Sequence, residues 1–286
     1  MTDLIDAIVT AQAGDYERVR GMQDSGPVMG VDHVPIDEYH ASPRVSASKL
    51  RTFMRLGPRA YYLRHVLKTN LIKRSKPMIV GQAFEDAVCG KDTFVIIEGD
   101  GRTKAVKQQK AAAEAEGKLV LGGESADFMK YGLQNLRENR AATALIKNAE
   151  EQPTLYADFA GLSGIQARPD WGHASGTFPD LKTSSTLEKF SRSVVDFGYH
   201  IQAALVRMCA KAQGIPSTVH RLIVVEREWP YRCQVMTLSD EYLELGEETA
   251  ERELTRLAQC YRNEDWFSCE EHVVLEPPRW LLEKVQ

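Results

Sequence analysis

The sequence contains few cysteines and no pattern that would pair them. Five cysteines occur among 286 residues, and none belongs to a C-x-x-C pair. A disulfide framework, a structural zinc site and an iron–sulfur cluster all need paired or closely spaced cysteines. The sequence therefore disfavours these three classes of protein, and we expect free thiols.

Long apolar runs are also missing. No run approaches the length that spans a bilayer, and the first six residues lack the basic start and apolar core of a secretion signal. We expect a cytoplasmic protein without a membrane partner. The length can bury one large core. We predict an N-terminal arm over residues 1–40, with a short helix from Leu4 to Ala13, and one main domain over 41–286.

One segment lacks acidic residues. The net charge is −4, but residues 41–76 carry ten basic and no acidic side chains, whereas residues 1–40 carry two and eight. A charge run is usually only the solvated face of a helix. The complete absence of acids favours the other interpretation, a surface that neutralises the phosphates of a nucleic acid.

The basic segment is predicted to be helical from Ser46 onward. Arg51, Arg55 and Arg59 recur every four residues, a spacing that places side chains on one helix face. Gly57-Pro58 is predicted to break this helix. We take Lys49, Arg51, Arg55 and Arg59 as candidate DNA-binding residues.

Two carboxylates and a lysine dominate the middle of the chain. A predicted strand ends at Asp170, residues 171–176 read as a hairpin loop, and a second strand contains Asp180, Leu181 and Lys182. Side chains alternate along a strand, so Asp180 and Lys182 share one face while Leu181 points into the core. Hydrolysis of a phosphodiester needs oxygen ligands for Mg²⁺ or Mn²⁺ and a cation near the attacking water. This constellation provides both.

Two predicted helices could complete such a site. Glu85 lies on an amphipathic helix, where a lone glutamate usually faces solvent. Tyr199 and Gln202 share a face of a helix whose core stripe contains Ile201 and Leu205. For Tyr199 and Gln202, a role in the site and an ordinary place on the helix flank are equally supported by the local pattern.

Taken together, these residues resemble the signature of the PD-(D/E)xK nucleases, and in particular the exonuclease VIII (RecE-type) branch found in phages and prophages. The resemblance spans roughly residues 39–210 and is ordered along the chain. The matching segments are Tyr39-His40, Ser46-x-Ser48-x-Leu50, Pro58 with Tyr61-Tyr62, Gly81-Gln82-Ala83-Phe84, Arg102-Thr103-Lys104, Arg168-Pro169-Asp170, Asp180-Leu181-Lys182-Thr183 and Tyr199-His200-x-Gln202-Ala203-Ala204.

The resemblance implies an α/β fold like that of restriction endonucleases, a mixed β-sheet flanked by helices. It also implies Mg²⁺-dependent digestion of linear double-stranded DNA from its ends, in the 5′-to-3′ direction, with Mn²⁺ as an alternative metal. The single strands produced would serve recombination beside a single-strand annealing recombinase. A ring-shaped homo-oligomer and the cytoplasm of a bacterial host are further implications.

The resemblance also implies roles for individual residues. Asp170 and Asp180 match the acids that bind metal, and the carbonyl group of Leu181 would complete the metal shell. Lys182 matches the catalytic lysine, which positions water and stabilises charge on the phosphate. Gln202 matches the glutamine of the following helix, and Tyr199 is a candidate DNA contact.

Two residues depart from the family pattern. Glu85 stands where the family usually has histidine, and we keep it as a metal ligand because its carboxylate suits Mg²⁺. Val206 stands where the family has tyrosine, which puts one contact with the substrate in doubt. Two alternatives therefore remain: a structure-specific endonuclease of the same fold, or a catalytically impaired DNA-binding subunit. The intact set of Asp170, Asp180 and Lys182 favours the active exonuclease.

Overall fold

A three-stranded mixed sheet forms the centre of the computed structural model, which describes residues 31–69, 75–217, 219–267 and 274–277. The predicted helix from Leu4 to Ala13 lies outside these residues. In chain order the elements are α1 (Ile36–Ala41), α2 (Ala47–Tyr61), α3 (Lys76–Val88), β1 (Phe94–Ile96), α4 (Lys104–Ala115), β2 (Leu119–Leu121), α5 (Glu124–Asp127), α6 (Leu133–Glu138), α7 (Arg140–Ile146), β3 (Glu150–Glu151), β4 (Leu155–Ala157), β5 (Ile165–Ala167), β6 (Trp171–Gly172), β7 (Thr177–Ser184), α8 (Phe190–Asp196), α9 (Tyr199–Ala212), β8 (Val219–Glu226), β9 (Cys233–Thr237) and α10 (Asp240–Asn263).

Both faces of the central sheet are covered by helices. β7 pairs with β8 in parallel, and β8 pairs with β9 in antiparallel fashion. Leu181 and Ile223 pack towards α3 and α7, whereas Leu222 and Val224 pack towards α8 and α9. Because alternate residues point to opposite faces, a strand buried on both sides is apolar throughout, as residues 222–225 of β8 are. The prediction of a mixed sheet flanked by helices is confirmed.

A longer strand pair leads into this sheet. Glu151 lies opposite Trp171 and Leu155 lies opposite Ala167, so β3–β4 and β5–β6 keep one register across an interruption. Residues 152–154 therefore face residues 168–170. Pro153 and Pro169 stand at the centre of this interruption, where neither can donate a backbone hydrogen bond to a ladder.

A tight turn joins β6 to β7. The predicted hairpin loop over residues 171–176 is wrong in its bounds, because Trp171 and Gly172 form β6, which pairs with β3, while β7 pairs with β8. The backbone N–H of His173 donates to the carbonyl oxygen of Thr177 at 3.0 Å. Gly176 has a φ of +84°, and a Cβ there would lie 2.5 Å from the carbonyl oxygen of Pro216. Only glycine fits this position.

The basic helix α2 is bent at the predicted place. Gly57 has a φ of +82° inside it, directly before Pro58. Arg51 and Arg55 precede the bend, and Arg59 follows it. A π-helical segment, Tyr62–Val66, continues the chain beyond α2.

The described end of the predicted arm packs against the strand pair. Asp32 forms a bridge with Thr154, and the side-chain amide of Gln166 donates to the carbonyl oxygen of Tyr39 at 2.8 Å. Tyr39 itself is buried. Residues 31–41 are thus held to Thr154, directly before β4, and to β5, while the predicted boundary at residue 40 stays a prediction.

No helix in the described ranges is long and apolar enough to cross a membrane. Cys89, Cys209, Cys233 and Cys260 are free thiols, as expected.

Candidate active site

The two aspartates and the lysine meet where the strand pair joins the central sheet. Asp170 follows β5, and its Oδ2 accepts a hydrogen bond of 2.6 Å from the backbone N–H of Leu181 in β7. Asp180 is 1% exposed, and the ammonium group of Lys182 contacts its Oδ2 directly. Alternation along β7 puts Asp180 and Lys182 on one face and sends Leu181 into the core, as the sequence predicts.

Two flanking helices deliver the other candidate residues. Gln202 of α9 donates from its Nε2 to Asp180 Oδ1 at 3.0 Å. Helix α3 approaches β7 closely: a Cβ added to Gly81 would lie 3.3 Å from Thr183 Oγ1. One turn further along α3, Glu85 Oε1 accepts a hydrogen bond of 2.8 Å from Gln152 Nε2. The structure therefore brings Glu85, Asp170, Asp180, Lys182 and Gln202 together.

Burial and mutual repulsion shape the charges of this group. Burial, followed by the nearby charge of Asp170, raises the pKa of Glu85 to about 7, although Lys182 and Gln152 oppose the shift. Burial also raises the pKa of Asp170, against the influence of Lys182. Burial lowers the pKa of Lys182 despite both carboxylates. The site thus keeps its carboxylates in surroundings that favour an added positive charge.

The donor set suits a hard divalent cation in its chemistry. Carboxylate and carbonyl oxygens are the ligands that Mg²⁺ and Mn²⁺ prefer. In the part of the chain that the structure describes, no group of three or more His, Cys, Asp and Glu side chains is already arranged around a common metal position. Protein donors hold the oxygens instead: Lys182 and Gln202 hold Asp180, and the Leu181 amide holds Asp170.

Aromatic and basic side chains line the rim of the site. The Nζ atom of Lys182 lies 5.1 Å from the centre of the Tyr199 ring. Phe197 is half exposed, with its ring centre 5.9 Å from that of Tyr199. Arg51 donates from Nη1 to the carbonyl oxygen of Phe197 at 2.9 Å. Tyr199 and Arg51 thus lie beside the catalytic candidates.

The remaining basic candidates have different surroundings. Lys49 is 7% exposed, and its ammonium group donates to the carbonyl oxygens of Ser42 and, at 2.9 Å, Arg44. Because this ammonium group is buried and two of its three N–H groups already donate to backbone carbonyl oxygens, we leave Lys49 out of the proposed DNA surface. Arg55 is exposed one helical turn after Arg51. Arg59, beyond the bend, lies over the ring of Phe267 at 5.2 Å.

A cavity of about 190 Å³ opens next to the acids. Arg51, Arg168, Ser46 and Ser48 line it, and Gln202 lies at its boundary with the acids. Arg168 donates from Nη2 to Gln152 Oε1 at 2.9 Å, while its Nε and Nη1 are buried without a hydrogen-bond partner in the described ranges. No acidic side chain is among the described residues that line the cavity.

Sequence reasoning missed Arg168 and Gln152 as site residues. Arg168 stands in the Arg168-Pro169-Asp170 motif, and this position two residues before a predicted metal ligand was a usable signal. Gln152 had none, because its place depends on the register of two strands. Val206, which departs from the family tyrosine, is 1% exposed and lines the cavity wall.

The mixed sheet, with Asp180 and Lys182 on one strand and Asp170 hydrogen-bonded to that strand, defines a protein of the PD-(D/E)xK type. The chain belongs to the family described as the PDDEXK-like domain of unknown function, DUF3799, whose model matches residues 46–274. The predicted PD-(D/E)xK relationship and the restriction-endonuclease-like α/β fold are thereby confirmed. Family and site together support a nuclease enzyme.

One solved structure shows the same fold, and two others align with low TM-scores. A crystal structure of a candidate exonuclease from Eubacterium rectale is similar at a TM-score of 0.62 and 12% identity, over 89% of this chain and 98% of that one. An alkaline exonuclease from Laribacter hongkongensis aligns at a TM-score of 0.30 and 14% identity, over 64% and 95%. A phage-related exonuclease from Haemophilus somnus aligns at a TM-score of 0.34 and 11% identity, over 78% of this chain and 96% of that one. No curated protein matches the sequence.

Proposed function

We propose that this chain is a divalent-metal-dependent exodeoxyribonuclease that digests linear double-stranded DNA from its ends. The convergence of Asp170, Asp180 and Lys182 carries this proposal. A buried aspartate, Asp180, beside the half-buried Asp170 and Lys182 is a costly arrangement unless the charges serve a reaction. Hydrolysis of a phosphodiester uses both kinds of group.

Each residue has a role that follows from its position. Asp170, Asp180, Glu85 and the Leu181 carbonyl would hold Mg²⁺, with Mn²⁺ as a substitute. A bound metal ion would polarise the scissile phosphate and stabilise the charge that develops on it. Lys182, whose pKa is lowered by burial, can orient the attacking water and pass a proton to or from it. Gln202 fixes the orientation of Asp180.

The cavity beside the acids supports a preference for DNA ends. Its guanidinium groups from Arg51 and Arg168 and its hydroxyl groups from Ser46 and Ser48 suit a phosphate. Gly198, which caps the amino end of α9, adds the positive end of a helix dipole. A recess lined by phosphate-binding groups suits a substrate that ends there, whereas the substrate of an endonuclease continues in both directions. A catalytically impaired subunit would have no reason to keep the full acid and lysine set.

The finer features of the proposal rest on the resemblance to exonuclease VIII. These are the 5′-to-3′ direction, a ring-shaped homo-oligomer, a single-strand annealing recombinase as partner, and a bacterial cytoplasm as location. The exposed Arg55 beside Arg51 is consistent with a DNA backbone passing over α2 towards the site.

Digestion of linear and covalently closed circular duplex DNA tests the proposal. With Mg²⁺, the protein should degrade linear DNA and leave closed circles intact, and EDTA should stop the reaction. Lys182→Ala should lower the rate about 10³-fold, because a positioned proton carrier contributes roughly 10²–10⁴-fold. Lys189→Ala, which removes an exposed lysine seven residues away, serves as the matched control and should cut at the parent rate.

Other outcomes would decide between the alternatives. Equal cutting of closed circles would identify an endonuclease. Absence of cutting with Mg²⁺ and with Mn²⁺, together with unimpaired DNA binding, would identify a catalytically impaired subunit.

A further inference from the structure

We infer that Gln152 is a positioning residue that fixes the carboxylate of Glu85 relative to Asp170, and so sets the affinity of the site for its metal ion. The inference rests on the proposed function, in which Glu85 and Asp170 are metal ligands. Gln152 makes no contact with the reacting atoms in this role. It acts through the two carboxylates.

The backbone of Gln152 is joined directly to Asp170. In the register shared by β3–β4 and β5–β6, Gln152 stands opposite Asp170. Its backbone N–H donates to the Asp170 carbonyl oxygen at 2.9 Å. A shift of Gln152 therefore shifts the strand that carries Asp170.

The side chain of Gln152 reaches the third carboxylate. Its Nε2 donates to Glu85 Oε1 at 2.8 Å, across 67 residues of sequence. The other amide donor near Glu85 is Gln82, on the same helix, at the long distance of 3.5 Å. Within the described ranges, Gln152 makes the hydrogen bond that ties Glu85 to another element.

Two cations fix the orientation of the Gln152 amide. Its Oε1 accepts hydrogen bonds from Arg168 Nη2 at 2.9 Å and from Lys91 Nζ at 3.3 Å. An amide oxygen accepts and an amide nitrogen donates, so the oxygen must face the cations and the nitrogen must face Glu85. The amide is thus locked in the orientation that serves Glu85.

The backbone conformation of Gln152 also indicates that its side chain is required. Gln152 has a φ of +49°, a left-handed conformation that glycine adopts easily and glutamine rarely does. Strained conformations of this kind cluster at functional sites, where the surrounding structure holds them in place. A requirement for the amide side chain explains why a residue other than glycine stands here.

Binding of Mn²⁺ alone, measured by calorimetry without DNA, tests the inference. Gln152→Ala and Gln152→Gly both remove the amide, and each should weaken Mn²⁺ binding about tenfold or more, because loss of a residue that orients a metal ligand typically costs 10–100-fold. Excess Mn²⁺ should restore most of the cleavage rate of these two variants. Gln134→Ala is the matched control, since it removes an amide that donates to Glu138 at 2.9 Å on the exposed face of α6, and it should bind Mn²⁺ like the parent.

The Ala and Gly variants separate positioning from stability. Glycine relieves the left-handed strain that alanine keeps, so Gln152→Gly should melt at a higher temperature than Gln152→Ala. If Gln152→Gly regained both the metal affinity and the melting temperature that Gln152→Ala loses, the role of Gln152 would be structural and the inference wrong. Should either variant fail to fold, Gln152→Met keeps the length of the side chain without its hydrogen bonds, and parent-like affinity in Gln152→Met would also overturn the inference.

The outcomes distinguish this inference from the proposed function. A parent protein that binds and uses Mn²⁺, with variants of equal affinity, would refute only the role of Gln152. A parent protein that binds neither Mn²⁺ nor Mg²⁺ would refute the proposed metal site, and the inference with it.

Discussion

At the scale of single residues, burial sets the chemistry of the ionisable groups. The pKa of Lys182 is lowered and those of Glu85 and Asp170 are raised, in each case mainly because burial disfavours the charged form. The opposite charges within the site reduce these shifts without cancelling them. A lysine that releases its proton more readily than in water suits a group that moves protons near neutral pH.

His220 extends this effect beyond the site. Its ring is 2% exposed, and burial together with the charge of Lys182 lowers its pKa to about 3. An unfolded histidine has a pKa of about 6.5, so between pH 6.5 and 3 the unfolded state takes up a proton that the folded state refuses. The free energy of unfolding should therefore fall as the pH falls through this window.

We predict that His220→Gln makes the stability of the protein less sensitive to acid. Between pH 7 and pH 5 the parent should lose about 2 kcal/mol more of its unfolding free energy than the variant, at roughly 1.4 kcal/mol for each pH unit below 6.5. Urea unfolding at both pH values measures the difference. His33→Gln, at a half-exposed ring paired with Glu150, is the control and should retain most of the parent's pH dependence. Parallel curves for the parent and His220→Gln would show that His220 is not held neutral.

At the scale of secondary-structure elements, the close crossing of α9 and α10 supports the face of the sheet that carries Asp180. Gly246 of α10 lies against α9, and a Cβ at this position would be 2.4 Å from the carbonyl oxygen of His200. The contact is between backbones, so no flexible side chain can move aside. Gln202 projects towards Asp180 from the same part of α9.

We predict that Gly246→Ala destabilises the protein by about 1–3 kcal/mol, the usual cost of overpacking a core. The sign of this change in stability is informative, because alanine in a helix interior is otherwise favoured over glycine by about 1 kcal/mol. The urea midpoint measures the effect, and Glu248→Ala on the exposed face of α10 is the control. A higher urea midpoint for Gly246→Ala would mean that the backbones of α9 and α10 are not in close contact at Gly246.

The bent helix α2 allows a test of DNA binding at the same scale. Arg51→Ala and Arg55→Ala should each weaken binding to duplex DNA and reduce the slope of log affinity against log salt concentration by about 1. Fluorescence anisotropy over a salt series in EDTA measures the slope. Lys49→Met is a matched control, because the Lys49 ammonium group is occupied by backbone carbonyls and its loss should leave the slope unchanged. Unchanged slopes for both arginine variants would make α2 part of the scaffold only.

At the scale of the whole molecule, the resemblance to exonuclease VIII implies that several chains assemble into one particle, which the structure of a single chain does not display. We predict that the protein, with a chain mass of 32.1 kDa, sediments as a homo-oligomer of ring form in dilute buffer. Sedimentation velocity over a range of concentrations gives the mass, and negative-stain images give the shape. A single species near 32 kDa at every concentration would contradict the prediction.

Some of the site and much of the fold were determined by the sequence alone, because they depend on local geometry. Asp180, Leu181 and Lys182 occupy neighbouring positions on β7, and the alternation of a strand decides which of them share a face. Gly57-Pro58 bends α2 through the backbone preferences of two residues. Apolar segments such as residues 222–225 predict a buried strand in the same local way.

Tertiary structure alone decided the features that join distant segments. Gln152 faces Asp170 because two strands pair in one register, and it reaches Glu85 because α3 packs closely against β7. Lys49 belongs to the same basic segment as Arg51, yet packing buries the first and places the second beside the cavity. Periodicity determines the direction of a side chain from its own element, whereas its partners depend on how the elements pack against each other.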